Sequence, residues 1–498
     1  MIGLNKLKTK LNKQQYFMFV RQTKDTFIRR FGNIGYITNQ LTKHDLNFNE
    51  TGADFLDKIS RESKEIDTIV NEVLPLFKDI DFDTLKADML EFIIDLEKTG
   101  FLLIGNTVEE LNTKEISFSY QMTNPKTSLY DFTNPDKKEV LNDSAELFYE
   151  EFQKIPQIFG LQIEVTARCN ERCIHCYIPN EKKNAGKDME LSLILGVMDQ
   201  AKEMGTLQVT LSGGELFMHK DIETILRHAR KNDFSISILS NLVLLSDKHI
   251  ELLKEINPSL VQVSLYSMKA AEHDAITLVK GSFEKTKNAI ERLVAADIPV
   301  QISCPVMKLN RKSYKDVLVY ANSLKTKAYT DFIMMAQADL DVNNLAQRIS
   351  LAETAELLGD MLQFDQDYLD TTLQQEPKSL DIEKFKKSPV CGVGVDNICV
   401  TANGDYYPCA GWQGMILGNA YKQSLKDIWD NSEQIKELRK ITNSSFPECI
   451  TCEARDYCAM CMVRNYNENN GDMFKITKHF CDVAFLNKKM VEDYLKQK

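Results

Sequence analysis

Three cysteines lie close together in the first half of the chain. Cys169, Cys173 and Cys176 are separated by three and two residues, and they follow the apolar run from Leu161 to Val165. A loop at a strand end that presents three thiolates suits a four-iron, four-sulfur cluster with one iron left open. A zinc site lacking one ligand and a chance arrangement are the alternatives. An open iron requires a small-molecule ligand, so the loop predicts a cofactor.

The distribution of the other cysteines also favours metal. The chain has 12 cysteines; Cys304 stands alone, and eight lie between Cys391 and Cys481. With 498 residues, 43% of them hydrophobic and 27% charged, the chain is long enough for two or three globular domains. Clustered cysteines in a large chain without a secretion signal hold metal more often than they form disulfides.

Charge and hydropathy narrow the set of partners. The net charge is -11, and the basic residues are scattered rather than gathered into a stripe, which argues against nucleic acid as a partner. No apolar run approaches the roughly 20 residues of a membrane span, and the basic start of the chain is followed by no apolar signal core. We therefore expect a cytoplasmic protein without a membrane partner.

The first 105 residues have the pattern of a small α+β domain. Alternating stretches at 15–20 and 26–38 predict short strands, with a turn at Arg30-Phe31-Gly32-Asn33, and a further strand is expected at 101–104. Asn49 is a plausible N-cap for a first helix, and apolar positions predict helices over 65–77 and 82–98. This order of elements indicates a winged-helix-like domain.

Strands and helices alternate from residue 161 onward. Apolar runs predict six strands, at 161–165, 208–211, 234–239, 260–265, 299–306 and 332–335, with helical stretches between them. Repeated βα units imply parallel strands joined by right-handed crossovers, with ligands bound at the C-terminal strand ends. Cys169, Gly213, Asn241 and Ser264 all fall at these ends.

These features together resemble the radical SAM superfamily. The resemblance is carried by the motif from Cys169 to Cys176 after a first strand and by Ser212-Gly213-Gly214-Glu215 after a second. It implies a partial (β/α)6 barrel, over residues 159–345, in which S-adenosylmethionine chelates the open iron of a [4Fe-4S] cluster. One electron then splits this cofactor into methionine and a 5'-deoxyadenosyl radical, which abstracts a hydrogen atom.

The resemblance also implies which residues surround S-adenosylmethionine. They are Gly213, Gly214, Glu215, Ser240, Asn241, Ser264 and Lys280. Taken singly, each is as well explained as a turn glycine or a strand-end polar residue. Many relatives have Asp-Gly where this chain has Tyr266-Ser267, which leaves open the polar atom that meets the ribose. Lys280 stands where relatives often carry Arg, and is expected to contact the carboxylate.

The C-terminal cysteines resemble the SPASM domain, an extension that carries auxiliary clusters. Its usual spacing is matched except that two residues, not three, separate Cys458 from Cys461. Eight thiolates suit two fully ligated four-iron clusters, for three [4Fe-4S] clusters in all. The resemblance assigns one cluster to Cys391, Cys399, Cys409 and Cys461, and the other to Cys449, Cys452, Cys458 and Cys481. Two four-thiolate zinc sites are the alternative.

The N-terminal domain resembles the PqqD-like element that recognises leader peptides. Residues 48–53 and the helix ending at Gly100 carry this resemblance. A structural or dimerisation domain is the alternative. A leader peptide would add a strand to an edge strand within Thr26 to Thr38. The expected domains are this element (1–105), a linker (106–158), the barrel (159–345), a helical bridge (346–388) and the SPASM extension (389–498).

These resemblances imply a radical SAM maturase of a ribosomally synthesised precursor peptide. The favoured product is a thioether or carbon–carbon cross-link, with a flavodoxin- or ferredoxin-type protein as electron donor. A formylglycine-generating enzyme, a peptide epimerase and a non-catalytic iron–sulfur electron carrier are the alternatives. Cys304 is either a small core residue or the hydrogen donor that an epimerase needs. The sequence names no catalytic base.

Overall fold

The structure, a computed structural model, describes residues 18–42, 44–122, 151–184, 186–365, 368–369, 381–458 and 460–497. The chain divides into two compact units, Met1–Glu151 and Phe152–Lys498. Residues 123–150 of the expected linker lie outside the described residues.

The first unit contains two small antiparallel sheets. Its strands are β1 Phe19–Gln22, β2 Thr26–Phe31, β3 Ile34–Asn39, β4 His44–Phe48, β5 Lys64–Glu65 and β6 Leu102–Gly105. One sheet has the order β2-β3-β4 and the other β5-β1-β6. Gly32, with a φ of 56°, supplies the turn between β2 and β3. The sequence did not predict β4, because its His-Asp-Leu-Asn-Phe lacks an apolar run.

Helices complete the core of this unit. They are α1 Glu50–Leu56, α2 Ile66–Val73, α3 Phe82–Lys98 and α4 Val108–Met122. The side chain of Asn49 accepts a hydrogen bond from the backbone of Gly52 at 3.2 Å, as expected of the predicted N-cap. The predicted bounds of α3 agree with the structure, and its apolar stripe is buried. Helix α4 falls where the sequence predicted a linker.

The second unit is built on one nine-stranded sheet. Its strands are β7 Gly160–Glu164, β8 Gln208–Ser212, β9 Ser235–Ser240, β10 Leu260–Ser264, β11 Val300–Pro305, β12 Lys327–Asp331, β13 Asn397–Val400, β14 Asp405–Tyr407 and β15 Gly418–Asn419. Strands β7 to β12 are parallel and adjacent in chain order. Strand β13 then pairs in parallel with β7, and β14 and β15 follow antiparallel. The predicted fold class is confirmed.

Helices flank this sheet and extend it. They are α5 Asn180–Asn184, α6 Leu191–Glu203, α7 Ile222–Lys231, α8 Asp247–Ile256, α9 Ala270–Thr277, α10 Ser282–Ala295, α11 Tyr314–Ser323, α12 Leu351–Phe364, α13 Ile382–Lys387, α14 Leu425–Asn431, α15 Glu433–Lys440, α16 Pro447–Ile450, α17 Met462–Glu468 and α18 Lys478–Gln497. Within the described residues, no helix has both the length and the hydropathy to cross a membrane.

The sixth strand was predicted at the wrong place. The apolar residues 332–335 lie in a loop, and the strand is the preceding segment Lys327–Asp331. Because β12 is at the edge of the sheet, it carries exposed Lys327 and Tyr329 and lacks the apolar run of an interior strand.

Alternation along the barrel strands separates a helix-packed face from a polar face. Ile163, Leu211 and Val263 are fully buried, and their strand neighbours include Gln162, Thr210 and Gln262. Cys304 belongs to the apolar set: it is fully buried in the core, and its thiol donates to the carbonyl of Tyr266 at 3.7 Å. This packing argues against the hydrogen-donor role considered for Cys304.

Candidate cluster and cofactor site

The three clustered cysteines occupy the loop after β7, at the C-terminal end of the strand. Backbone hydrogen bonds of 3.0 Å join Arg172 to Thr277 and Ile174 to Ile276, which ties the loop to the end of α9. The amide of Cys176 also donates to the carbonyl of Cys173 at 3.2 Å. Backbone hydrogen bonds thus hold the loop, and its three cysteines form no disulfide.

An ion pair at the start of the loop fixes its path. The guanidinium of Arg168 donates to both carboxylate oxygens of Asp188, at 3.0 and 2.8 Å, and also to the carbonyl of Met218 at 2.6 Å. Thr166 donates to Asp188 at 2.8 Å. This bidentate geometry orients the backbone immediately before Cys169.

The surroundings of these thiols favour a bound cation. Burial raises the pKa of the Cys169 thiol to about 11. Burial, together with Glu171, Cys176 and Cys169, raises the pKa of Cys173 well above its ordinary value. Lys183, which is buried beside the loop, partly opposes both shifts. Iron bound to the sulfurs would keep them ionised, so the thiols fit a cluster.

The glycine pair after β8 packs against the cysteine loop. Gly213 has a φ of 151°, and a Cβ there would lie 2.4 Å from the carbonyl oxygen of Thr166. A Cβ on Gly214 would lie 2.3 Å from the carbonyl oxygen of Arg168. The amide of Gly214 donates to Thr166 at 2.8 Å. These glycines are therefore required by the close approach of two loops, a reason that the sequence did not indicate.

Glu215 is engaged by the protein on both carboxylate oxygens. One accepts from the hydroxyl of Ser240 at 2.7 Å and the amide of Phe217 at 3.0 Å; the other accepts from the amide of Asn241 at 2.8 Å. Burial raises the pKa of Glu215 despite these donors. Glu215 thus joins the ends of β8 and β9 and positions the residues around it.

Asn241 connects the third strand end to the cysteine loop. Its side-chain amide donates to the side-chain oxygen Oδ1 of Asn170 at 2.9 Å, and Asn170 lies between the first two cysteines. Ser264 ends β10 at the same edge of the sheet. Lys280 is exposed between α9 and α10. The predicted residues that end or follow β7 to β10 therefore lie together at the C-terminal ends of these strands. The role of Lys280 stays a prediction.

Cys449, Cys452, Cys458 and Cys481 form one group. Burial first, then the nearby thiols of Cys458, Cys481 and Cys452, raise the pKa of Cys449 to about 11. The pKa of Cys458 is raised in the same way, with Cys481 and Cys452 as its neighbours. This grouping coincides with one predicted ligand set, although ligation itself stays a prediction.

The other C-terminal cysteines form a second group. Burial and then Cys461 and Cys409 raise the pKa of Cys391 to about 11. Cys399 is buried in β13 opposite Tyr407. Burial raises its pKa well above the ordinary value, and the nearby thiol of Cys409 raises it further. In the part of the chain that the structure describes, no three His, Cys, Asp or Glu side chains are arranged to hold one metal ion.

The sequence analysis missed several residues around these groups. Glu171 and Lys183 are buried beside the first three cysteines, and the hydroxyl of Tyr266 lies 3.9 Å from the sulfur of Cys173. Buried Glu164 on β7 accepts from Tyr407. Glu171 lies within the first motif and Lys183 follows it by seven positions, which is the signal that was available for them. No local signal links Glu164 to Tyr407, which are 243 positions apart.

Family models match three parts of the chain. The radical SAM superfamily model matches residues 163–321, the iron-sulfur cluster-binding SPASM model residues 391–453, and the coenzyme PQQ synthesis protein D model residues 41–102. The chain is a radical SAM enzyme, as predicted, and domains of these kinds bind S-adenosylmethionine and [4Fe-4S] clusters.

Relatives point to a narrower class. The AdoMet-dependent heme synthase of Methanosarcina barkeri is 26% identical over 61% of this chain and 90% of its own length. The antilisterial bacteriocin subtilosin biosynthesis protein AlbA of Bacillus subtilis is 26% identical over 64% of this chain and 70% of its own length. With the three domains, the match to AlbA supports a radical SAM/SPASM maturase of ribosomally synthesised peptides.

A solved structure resembles nearly the whole chain. Streptococcus suis SuiB, bound to its precursor peptide SuiA, aligns with a TM-score of 0.60 and 17% identity, covering 92% of this chain and 99% of SuiB. At this identity the likeness concerns the fold.

Proposed function

We propose that the protein installs a thioether or carbon–carbon cross-link in a ribosomally synthesised precursor peptide. The observation that carries the proposal is the separation of eight C-terminal cysteines into two groups beside a third group of three on the barrel. Two fully ligated auxiliary clusters suit a net oxidation, in which an electron leaves the substrate after hydrogen abstraction. Formation of a cross-link is such an oxidation.

Different residues at the C-terminal ends of the barrel strands would hold the cluster and position the groups that meet the cofactor. Bound together, the primary cluster and S-adenosylmethionine supply a radical that abstracts hydrogen. Cys169, Cys173 and Cys176 would hold the cluster, while Gly213 and Gly214 keep the neighbouring loop against it. Glu215 fixes the ends of β8 and β9, so that backbone and side-chain groups there meet the cofactor in one arrangement.

The alternatives are supported less well. Epimerisation needs a hydrogen donor, and Cys304 is packed in the core. A formylglycine-generating enzyme has no evident use for a PqqD-like domain, which this chain carries. An electron carrier without catalysis has no use for the radical SAM domain.

The first unit offers an edge for the leader peptide. The expectation placed this edge within Thr26 to Thr38; of the two strands in that range, β2 is an edge strand of its sheet and β3 is the central strand. Strand β4 forms the outer edge; its first two residues are exposed, whereas β2 at the other edge is largely buried. Phe48 of β4 contacts Phe92 of α3, with ring centroids 5.0 Å apart. We propose that the leader adds to β4 alongside α3.

Hydrogen–deuterium exchange tests this assignment on the full-length protein. Addition of the leader peptide should slow exchange at the amides of β4, because a new strand bonds to them, and should leave β2 unchanged. Protection of β2 alone would move the binding site to the opposite edge. Absence of protection at both edges would refute leader binding by strand addition.

The proposed reaction is tested by reconstitution and mass spectrometry. Anaerobic reconstitution should give about twelve irons per chain. Incubation with S-adenosylmethionine, a reduced flavodoxin or ferredoxin and the precursor peptide encoded beside this gene should then remove two hydrogen atoms from the peptide. Cleavage of S-adenosylmethionine with an unchanged peptide mass would refute the cross-link, and inversion of a residue in that peptide would identify an epimerase. About four irons per chain would refute the auxiliary clusters.

A further inference from the structure

Tyr266 is placed directly against the first cysteine group. It follows β10 by two residues and is 4% exposed, and its hydroxyl oxygen lies 3.9 Å from the sulfur of Cys173. In this structure the sulfur is a thiol; it stands for the thiolate that would bind iron. The larger radius of sulfur makes this a long but acceptable distance for an O–H···S hydrogen bond.

The surroundings of Tyr266 leave its hydroxyl little freedom. The ring centroid lies 5.0 Å from that of His175 and 5.3 Å from that of His273. The backbone amide donates to Nδ1 of His273 at 3.3 Å, and the carbonyl accepts from the side-chain amide of Asn310 at 2.7 Å. Both the ring and the backbone of Tyr266 are therefore held in place.

The hydroxyl of Tyr266 is protonated at neutral pH and can therefore donate a hydrogen bond. A tyrosine hydroxyl has an ordinary pKa of about 10, so at neutral pH the proton is on the oxygen of Tyr266. Two further ionisable groups share the site. Glu171 accepts a hydrogen bond from the thiol of Cys173 at 3.4 Å, and buried Lys183 lies near both. When iron replaces the thiol proton, that bond to Glu171 is lost, whereas Tyr266 can still donate to the sulfur.

We infer that the hydroxyl of Tyr266 donates a hydrogen bond to the Cys173 ligand of the primary cluster and raises the reduction potential of that cluster. The inference rests on the proposed assignment of Cys173 as a ligand. A donor to a cluster sulfur withdraws electron density and favours the reduced state, in which the cluster carries one more negative charge. The contact therefore places a hydroxyl donor of this chain directly against a proposed ligand of the cluster.

Tyr266→Phe isolates the hydroxyl, because the ring and its contacts remain. Tyr314→Phe is the matched control: Tyr314 is 1% exposed, and among the described residues its hydroxyl has no hydrogen-bond partner. Both variants and the wild type would be reconstituted and titrated by electron paramagnetic resonance. The primary cluster is recognised as the one whose signal changes when S-adenosylmethionine is added.

In Tyr266→Phe, the reduction potential of the primary cluster should become more negative. The iron content and the potentials of the auxiliary clusters should not change. Tyr314→Phe should behave like the wild type. Cleavage of S-adenosylmethionine should slow with a mild reductant and recover with a strong one. An unchanged potential, an equal shift of all clusters, or loss of iron would overturn the inference. Retention of the S-adenosylmethionine-sensitive signal in Cys173→Ala would instead refute the ligand assignment beneath it.

Discussion

The hydroxyl of Tyr407 donates a hydrogen bond to the carboxylate of Glu164 across 2.5 Å. Glu164 ends the first barrel strand and Tyr407 ends β14, so the bond crosses the intervening β13. The side-chain amide of Gln413 donates to the same carboxylate at 2.9 Å. Because Cys409 follows Tyr407 by two residues, this buried contact fixes one group of cysteines to the barrel.

Replacing Tyr407 with Phe should lower the free energy of unfolding. The substitution removes a donor to a buried carboxylate and leaves Glu164 with the weaker amide of Gln413, a loss of about 1 to 3 kcal/mol. Denaturant unfolding of the iron-free protein, followed by circular dichroism, measures it.

The neighbouring Tyr406→Phe is the control for this prediction. Tyr406 is also fully buried, but its hydroxyl has no hydrogen-bond partner in the part of the chain that the structure describes. Removing that hydroxyl should be neutral or slightly stabilising, because no bond is lost. Equal losses for the two variants would mean that the contact with Glu164 contributes nothing specific.

Local patterns were sufficient to predict most of the fold. The alternation of apolar strands and helices indicated the parallel barrel, and the stripe from Leu85 to Leu96 gave α3 its bounds. The failures have a common cause. Strands β4 and β12 lie at sheet edges, where one side meets solvent and the apolar signal is weak. The pairing of β13 with β7 is a contact between distant segments, which no local pattern encodes.

The candidate site was predictable where its residues are close in sequence. The spacing of the cysteines indicated the first motif, and the resemblance to the SPASM domain supplied the two C-terminal sets; in the structure, thiols within each set raise one another's pKa. The reason for Gly213 and Gly214 was not predictable, because it depends on two loops that meet only in the fold. The contact of Tyr266 with Cys173 was hidden for the same reason, although the departure from the usual Asp drew attention to that position.

Gly213→Ala should destabilise the protein and reduce its iron content. A Cβ would meet the carbonyl oxygen of Thr166 at 2.4 Å, and the φ of 151° is unfavourable for alanine. Strain and displacement of the cysteine loop should cost about 2 to 4 kcal/mol. Denaturant unfolding and iron analysis after reconstitution measure the two effects.

Gly196→Ala provides the comparison. Gly196 lies within α6, and a Cβ there would meet nothing within 4 Å. The alanine should stabilise the helix by about 0.5 to 1 kcal/mol, with the iron content unchanged. If Gly213→Ala behaved like Gly196→Ala, the close packing of the two loops would not matter for cluster assembly.

The grouping of the eight C-terminal cysteines predicts separable losses of iron. Cys391→Ser combined with Cys461→Ser should remove one cluster, and Cys449→Ser combined with Cys458→Ser the other, each leaving about eight irons per chain. Cleavage of S-adenosylmethionine should persist in both, because the first three cysteines are intact. If either pair removed both clusters, the two groups would not be independent.

Stability should fall in mild acid because of His273. Burial lowers the pKa of this side chain to about 4, and its Nδ1 accepts from the backbone of Tyr266 at 3.3 Å. In the unfolded chain its pKa is about 6.5. Between these values the unfolded state binds the extra proton, so stability is fully present above pH about 6.5 and declines as the pH falls toward about 4.

The decline attributable to His273 is at most about 3 kcal/mol, since each pKa unit of difference corresponds to about 1.4 kcal/mol. His273→Asn keeps a side-chain acceptor but does not titrate in this range. Denaturant midpoints of the iron-free wild type and variant, measured from pH 7 to pH 4, should converge as the pH falls, because only the wild type loses this contribution. Parallel curves would show that His273 makes no pH-dependent contribution to the free energy of unfolding.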